Sequence, residues 1–318
     1  MALVLITTDH LRPGDEVDLL LAEAGHRTRH LPGTGVRDPA ELVAALDGVE
    51  GAVIGTEPLT AAVLGAAPAL RAVVRSGVGH DSVDVEAATR LGISVSTLPG
   101  VNANAVAEYT LGLLIAAARR LVPLALGVAE GRWPRGSGRE LRGATLGLVG
   151  YGASARGVVP LARAFGMTVL CTTSVPDDDP SVRFTDLGTL LRESDYVSLH
   201  TALTPRTRRL VDEDALATMK PTAVLVNTAR GPLVDEAALV RAVTTGVIAG
   251  AELDVVDVEP LPADSPLRGV DGITVYSHMA GQTAEARRAA GVGAARELVA
   301  ALAGAPRSSV NAHLITAG

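Results

Sequence analysis

A chain of 318 residues is too long for one ordinary hydrophobic core, and length alone points to two domains of roughly 100–200 residues each. With 47% hydrophobic and 20% charged residues, the composition is that of a well-buried globular protein and excludes large-scale disorder. The net charge of -7 is interspersed and offers no basic nucleic-acid surface, while the lone Cys171 excludes an intramolecular disulfide or a cysteine zinc cluster, as expected of a reducing compartment.

The N-terminal Met1-Ala-Leu-Val-Leu-Ile-Thr-Thr8 has no positive region before its short apolar run, so it reads as a strand, Leu3–Thr7, and not as a signal peptide. A cytoplasmic protein is the expectation. From there, short aliphatic runs alternate with amphipathic stretches, the pattern of parallel sheets with crossover helices. Further strands are expected at Ala52–Gly55, Ala72–Arg75 and Ile93–Ser96, then at Thr145–Val149, Thr168–Cys171, Tyr196–His200, Ala223–Asn227, Ala249–Leu253 and Ile273–Tyr276. Helices are expected at Glu16–Ala24, Ala40–Leu46, Asp84–Leu91, Ala153–Ala164, Asp235–Thr244 and Ala284–Leu302. Val101–Gly127 reads as one long helix, broken or bent at Pro123. Its most apolar part, Leu111–Ala118, is far shorter than the ~20 residues a membrane span needs, so a buried helix and no membrane partner are expected. The run Gly131-Arg-Trp-Pro-Arg-Gly-Ser-Gly138 reads as a linker, with Trp133 a packing or dimer anchor.

Thr145-Leu-Gly-Leu-Val-Gly150-Tyr-Gly152-Ala-Ser-Ala155-Arg-Gly157 is an apolar strand running into a glycine-rich turn and then a helix, where a dinucleotide pyrophosphate would sit. Gly150 permits the tight turn, Gly152 lets the backbone approach the phosphates, and small Ala155 allows close helix–strand packing. About twenty residues on, an acid usually holds the ribose hydroxyls of NAD; here the strand ends Leu170-Cys-Thr172-Thr173-Ser, without one. No arginine stands adjacent in sequence to grip a 2′-phosphate, and Asp177, Asp178 and Asp179 follow closely. The cofactor is therefore NAD or NADP, with NAD slightly favoured.

Three later segments each overlap or follow an apolar strand: Val226-Asn227-Thr228-Ala229-Arg230-Gly231, Ala251-Glu-Leu-Asp254-Val-Val-Asp-Val-Glu259-Pro260, and Tyr276-Ser-His278-Met-Ala-Gly281. Strand ends of a parallel sheet converge on one edge, so Arg230, Asp254, Glu259 and His278 can face one crevice. With Arg75-Ser-Gly-Val78-Gly79-His-Asp-Ser-Val-Asp84, Pro99-Gly-Val-Asn-Ala-Asn-Ala-Val-Ala-Glu108 and the glycine loop, these motifs resemble, in order, those of the D-2-hydroxyacid dehydrogenase family over about residues 71–286.

The resemblance implies an α/β fold of two Rossmann-like, doubly wound parallel-sheet domains, with a cofactor domain (100–284) inserted into a substrate domain (1–99 plus 285–318), and usually a homodimer. Its implied activity is hydride transfer between a nicotinamide and C2 of a small 2-hydroxy or 2-keto acid. By motif, Arg230 would hold the substrate's carboxylate and keto oxygen, with Arg75 and the amides of Val78 and Gly79 also binding substrate. His278 would be the acid/base, oriented and favoured in its charged form by Glu259. Asp254 would meet the nicotinamide carboxamide, and Gly150, Gly152, Ser154, Ala155, Thr172, Thr173, Thr228, Ala229 and Gly281 would contact the cofactor. The sequence departs from the family pattern at the missing ribose acid, at Ser277 where proline usually precedes the histidine, and at Ala153 where arginine is common.

A short-chain dehydrogenase is excluded, because the only lysine, Lys220, has Leu216 in place of tyrosine four positions before it. Glu259 argues against a formate-dehydrogenase-like enzyme, where glutamine is expected. Phosphite- or phosphonate-type substrates stay open, as does a dinucleotide-sensing binding protein of the corepressor kind, which would keep the same motifs.

Overall fold

The computed structural model describes residues 1–33, 37–175 and 177–315. The chain divides into two compact units, Met1–Asn102 with Thr283–Gly318, and Ala103–Gln282. The first unit begins with β1 (Leu3–Ile6), α1 (Glu16–Glu23), β2 (Arg27–His30), α2 (Pro39–Ala45), β3 (Gly51–Ile54), α3 (Ala61–Gly65), β4 (Ala72–Arg75), α4 (Val85–Arg90) and β5 (Ser94–Ser96). Among the described residues its strands form one parallel sheet in the order β2-β1-β3-β4-β5. Alternation along the strands builds two apolar layers. Leu5, Ile54, Val73 and Val95 pack with Leu42, Val63 and Leu64 on one face, and Val4, Ile6, Val53 and Val74 pack with Val17 and Leu21 on the other. The helices start where Asp15, Asp38, Thr60 and Asp84 accept first-turn amides.

The second unit runs α5 (Ala103–Arg119), α6 (Leu121–Ala129), β6 (Thr145–Val149), α7 (Ala153–Ala164), β7 (Thr168–Thr172), β8 (Arg183–Phe184), α8 (Leu187–Glu193), β9 (Tyr196–Leu199), α9 (Glu213–Thr218), β10 (Val224–Asn227), a 3-10 turn (Gly231–Leu233), α10 (Glu236–Thr244), β11 (Gly250–Leu253) and β12 (Ile273–Val275). Its sheet is parallel, in the order β12-β11-β10-β9-β6-β7-β8 among the described residues. Leu199, Leu225 and Leu253 pack with Leu190, Leu216 and Leu239 on one face; Leu146, Leu148 and Val169 pack with Leu113, Leu114 and Val158 on the other. The order reverses between β6 and β9, and a doubly wound sheet takes its ligands beyond the carboxyl ends of its strands at that reversal. The chain then returns to the first unit with α11 (Ala284–Leu302) and α12 (Ala312–Ile315). Buried Glu297 accepts from Ser96 Oγ and from the amides of Arg307 and Ser308, and Asn311 accepts from the Val95 amide, which ties the returning segment to β5.

Three sequence expectations need correction. The long helix starts at Ala103 and breaks at Arg120, in left-handed conformation at φ 51°, not at Pro123; α5 and α6 meet there at 66°. Pro123 falls in the first turn of α6, where its missing N–H is not required. The strand β2, Arg27-Thr-Arg-His30, and the two-residue β8 lie at sheet edges and carry no aliphatic run to betray them. Short helices α3, α8 and α9 were also not anticipated. Among the described residues no single helix is long and apolar enough to cross a membrane, though the bent α5–α6 pair together has the length and composition.

Candidate active site

In the second unit the loops beyond β6, β9, β10, β11 and β12 carry most of the residues picked out by sequence. Gly150 leaves β6 at φ +99°, and a Cβ there would lie 2.6 Å from the His200 carbonyl oxygen, so only glycine fits this crossing. Gly152 heads α7 in extended conformation with no side-chain cap, which leaves first-turn amides to receive an anion. Ser154 lies half-buried in that turn, and fully buried Ala155 packs under it among Leu148 and Val158. A dinucleotide pyrophosphate fits this cradle: the first-turn amides of α7 have no side-chain cap, and the space beside Gly152 is open.

At the carboxyl end of β7, Thr172 is half-buried and Thr173 Oγ1 accepts from the Val175 amide at 3.2 Å. The fold brings an arginine that sequence adjacency did not reveal. Arg156, from α7, lies 4.4 Å over the Tyr151 ring and is ion-paired with Asp177. The Tyr151 hydroxyl donates to Asp179 at 2.6 Å. The bond from Arg156 holds the Asp177 carboxyl below its ordinary value, and the bond from Tyr151 does the same for Asp179, so both are charged at neutral pH.

Beyond β10, buried Asn227 staples the turn by accepting from the Ala229 amide at 3.0 Å and donating to the Arg230 carbonyl at 2.8 Å. Thr228 Oγ1 stands 3.4 Å from Thr110 of α5. Arg230 Nη1 donates to the Ala229 carbonyl at 2.7 Å, which orients the guanidinium. A Cβ on Gly231 would lie 2.1 Å from the Val256 carbonyl oxygen, so the Arg230 turn and the Val256–Glu259 loop meet backbone to backbone. Glu259 Oε2 then bonds His278 Nδ1 at 2.7 Å while Oε1 accepts from the Val256 amide at 3.2 Å. Burial alone would raise the Glu259 carboxyl, but the bond and charge of His278, the Val256 amide and the Arg230 charge outweigh it and hold the pKa below the ordinary value.

His278 sits at φ 59°, a conformation uncommon outside glycine, and its backbone is pinned there. Its amide donates to the Asp254 carbonyl, and the Met279 and Ala280 amides donate to the two Asp254 carboxylate oxygens, each at 2.8 Å. Asp254 is only 1% exposed, so its carboxylate braces the histidine turn. Gly281 follows in the same turn. Tyr109 of α5 faces Asp254, and burial with that carboxylate beside it pushes the phenol up to about 12. Neither Asn227 nor Tyr109 was assigned a role from sequence, although Asn227 stands inside a quoted motif.

Arg75, Val78 and Gly79 belong to the first unit. Arg75 ends β4 and donates to the Ser76 carbonyl at 2.9 Å, Val78 is 44% exposed, and the turn is closed by Leu98 donating to the Gly77 carbonyl. Among the described residues no group of three or more His, Cys, Asp or Glu side chains is placed to hold a metal ion.

A doubly wound sheet with a glycine-loop cradle and a carboxylate-bonded histidine on the same edge is the arrangement of a dinucleotide-dependent oxidoreductase. Residues 111–280 match the family model described as D-isomer specific 2-hydroxyacid dehydrogenase, NAD binding domain. The chain is 41% identical over 272 residues to a glyoxylate reductase of Thermofilum pendens, covering 82% of this chain and 80% of that one. It is 39% identical over 240 residues to a hydroxypyruvate reductase of Thermotoga maritima, covering 74% and 78%. The structure matches that of the TT0316 protein of Thermus thermophilus with a TM-score of 0.89 at 39% identity, over 97% of this chain and 99% of that one. The chain belongs to the D-isomer-specific 2-hydroxyacid dehydrogenase family and is an NAD-dependent oxidoreductase. Relatives named as reductases and dehydrogenases give no support to the dinucleotide-sensing alternative.

Proposed function

We propose that this enzyme reduces a small 2-keto acid of the glyoxylate or hydroxypyruvate type to the 2-hydroxy acid, with His278, Glu259 and Arg230 as its catalytic residues. The observation that carries the reading is the 2.7 Å bond between His278 Nδ1 and Glu259 on the turn that meets Arg230. When bound, the reduced nicotinamide supplies the hydride that C2 receives. Because Nδ1 is committed to the carboxylate, Nε2 is the nitrogen left to give a proton to the substrate's carbonyl oxygen, and in the reverse direction it takes the hydroxyl proton. The Arg230 guanidinium holds the substrate carboxylate and keto oxygen through parallel N–H donors. Asp254, by fixing the Met279 and Ala280 amides, acts as a positioning residue for the histidine.

Gly150, Gly152, Ser154 and Ala155 are assigned to the pyrophosphate cradle, and Thr172, Thr173, Thr228, Ala229 and Gly281 to its flanks. Arg75, Val78 and Gly79 are assigned to substrate binding on the first unit, which makes residues 1–99 with 285–318 the substrate domain. NAD is preferred to NADP because Arg156, near the end of β7, is already neutralised by Asp177, with charged Asp179 beside Tyr151. Asp177→Asn is expected to raise kcat/KM for NADPH relative to NADH several-fold, by removing a charge and releasing Arg156; an unchanged ratio contradicts this role.

Homodimer assembly is part of the proposal. The helix α6 is apolar almost all round, yet Leu121, Leu126 and Val128 are 48%, 56% and 49% exposed and Trp133 beyond it 79%. Cytoplasmic residence accords with a single, buried, free cysteine. The reading is tested by following the reduced-nicotinamide absorbance with NADH or NADPH and a panel of glyoxylate, hydroxypyruvate, pyruvate, a phosphonate analogue and, in the oxidative direction, phosphite. Fastest turnover with NADH and one of the first two acids is expected, and NADH binding without turnover of any acid contradicts it.

A further inference from the structure

A second histidine stands on the same sheet edge as His278, and the mechanism does not use it. His200 follows β9 and is half-buried; its amide donates to the Val149 carbonyl at 2.8 Å, and its own carbonyl forms the crossing that requires glycine at position 150. Both ring nitrogens are engaged, Nε2 with Ser198 Oγ at 2.9 Å and Nδ1 with Ser154 Oγ at 3.2 Å. No carboxylate is bonded to the ring among the described residues, and burial pushes its pKa down to about 4, so the imidazole is neutral.

A neutral imidazole donates through one nitrogen and accepts through the other. Ser198 is completely buried, and the ring nitrogen is its hydroxyl's hydrogen-bond partner among the described residues. If Nε2 donated to Ser198, the buried Ser198 O–H would be left without an acceptor, a costly arrangement. The consistent order is therefore Ser198 O–H to Nε2, and Nδ1–H to Ser154 Oγ. Ser154 then receives a bond from His200 and keeps its own proton to give.

We propose that His200 is a positioning residue for the dinucleotide, a neutral relay that fixes Ser154 Oγ from behind so that its hydroxyl donates to the pyrophosphate at the head of α7. The inference rests on the dinucleotide reading of the glycine loop and adds to it the side-chain chain Ser198–His200–Ser154. Polarisation along such a chain strengthens its last donor, and the uncapped first turn of α7 is where an anion would accept.

The test measures the NADH dissociation constant by fluorescence for four proteins beside the wild type. Ser154→Ala is expected to weaken binding about three- to tenfold, the worth of one hydrogen bond. His200→Leu, combined with Ser198→Ala so that no buried hydroxyl is orphaned, is expected to weaken it by a similar factor. His200→Asn, whose side-chain amide can replace the Nδ1 donor, stays within about twofold of wild type; a packing role would reverse the order, because leucine fills the site and asparagine does not. Added to Ser154→Ala, the His200→Leu/Ser198→Ala change costs nothing further if the relay acts through Ser154. Additive losses, or His200→Asn no better than leucine, overturn the proposal. Ser154 is half-exposed, so Ser154→Ala keeps the test open should the buried variants not fold, and unchanged affinity in that variant overturns it. Wild-type protein that does not bind NADH overturns the dinucleotide reading itself, an outcome distinct from wild-type binding with an indifferent Ser154→Ala.

Discussion

His200 and His278 both follow strands of the same parallel sheet and face its carboxyl edge, yet their surroundings give them opposite chemistry. His200 is enclosed between two serine hydroxyls and kept neutral by burial. His278 is 39% exposed, bonded to a glutamate that is held ionised, and set on a strained turn braced by Asp254. Around His200 the edge presents the uncapped amides of α7 and neutral hydroxyls, suited to holding an anion without exchanging protons. Around His278 it presents charged side chains, suited to moving a proton. The position of a histidine at a strand end decides nothing; the group on its far nitrogen does.

Two glutamates of the same unit repeat the contrast. Glu259 is held low by its partners, whereas Glu252, inside β11, is pushed up to about 6 by burial, against bonds from Tyr276 and Thr274.

The largest effect that should sharpen this comparison is at His278. His278→Ala is expected to lower turnover by about 10²–10⁴-fold while NADH binding stays near wild type, as for loss of a positioned general acid; equal loss of NADH affinity would make the residue structural. Arg230→Lys comes next, with a raised substrate KM and a lowered kcat that together cost about 10–100-fold in kcat/KM, because a lysine cannot reproduce two parallel donors. Unchanged kinetics would remove Arg230 from the substrate. The smallest effect is on stability. The folded-state pKa of Glu252 lies above the ordinary 4.5, so its ionisation destabilises the fold progressively as pH rises through about 6. Glu252→Gln should therefore raise the melting temperature above pH 6, by at most about 2 kcal/mol of stability, and leave it unchanged below pH 4.5. Glu259 has the opposite sign: its contribution is present above its ordinary pKa and is lost only as pH falls through its lower folded value. A stabilisation by Glu252→Gln at acid pH would contradict the assignment.

Much of the site was legible because catalytic residues of a parallel sheet sit just past apolar strands, where motifs such as Thr145–Gly157 and Val226–Gly231 stand out. What escaped depended on three-dimensional neighbours. β2 is polar because it lies at a sheet edge, so aliphatic patterning passed it over. The break after α5 falls at an arginine in left-handed conformation, which composition does not mark, while the conspicuous Pro123 is accommodated in a first turn. Arg156 precedes Asp177 by 21 positions and meets it only through the packing of α7 beside β7. Asp254 was read as a cofactor contact because it ends a strand beside the Glu259 and His278 motifs; that its buried carboxylate also accepts from two backbone donors of the His278 turn is visible only in the fold. His200 lay within a recognised strand, but its serine partners are visible only once β9 crosses behind the glycine turn.

The most direct test of the central claim is isotopic: NADH carrying deuterium at the transferable C4 position is incubated with glyoxylate and the enzyme, and the 2-hydroxy product is analysed by mass spectrometry and NMR. One deuterium at C2 for each NADH consumed is the expected result. NADH that is bound but not consumed, or consumed with no deuterium at C2 of any 2-keto acid in the panel, would contradict the account.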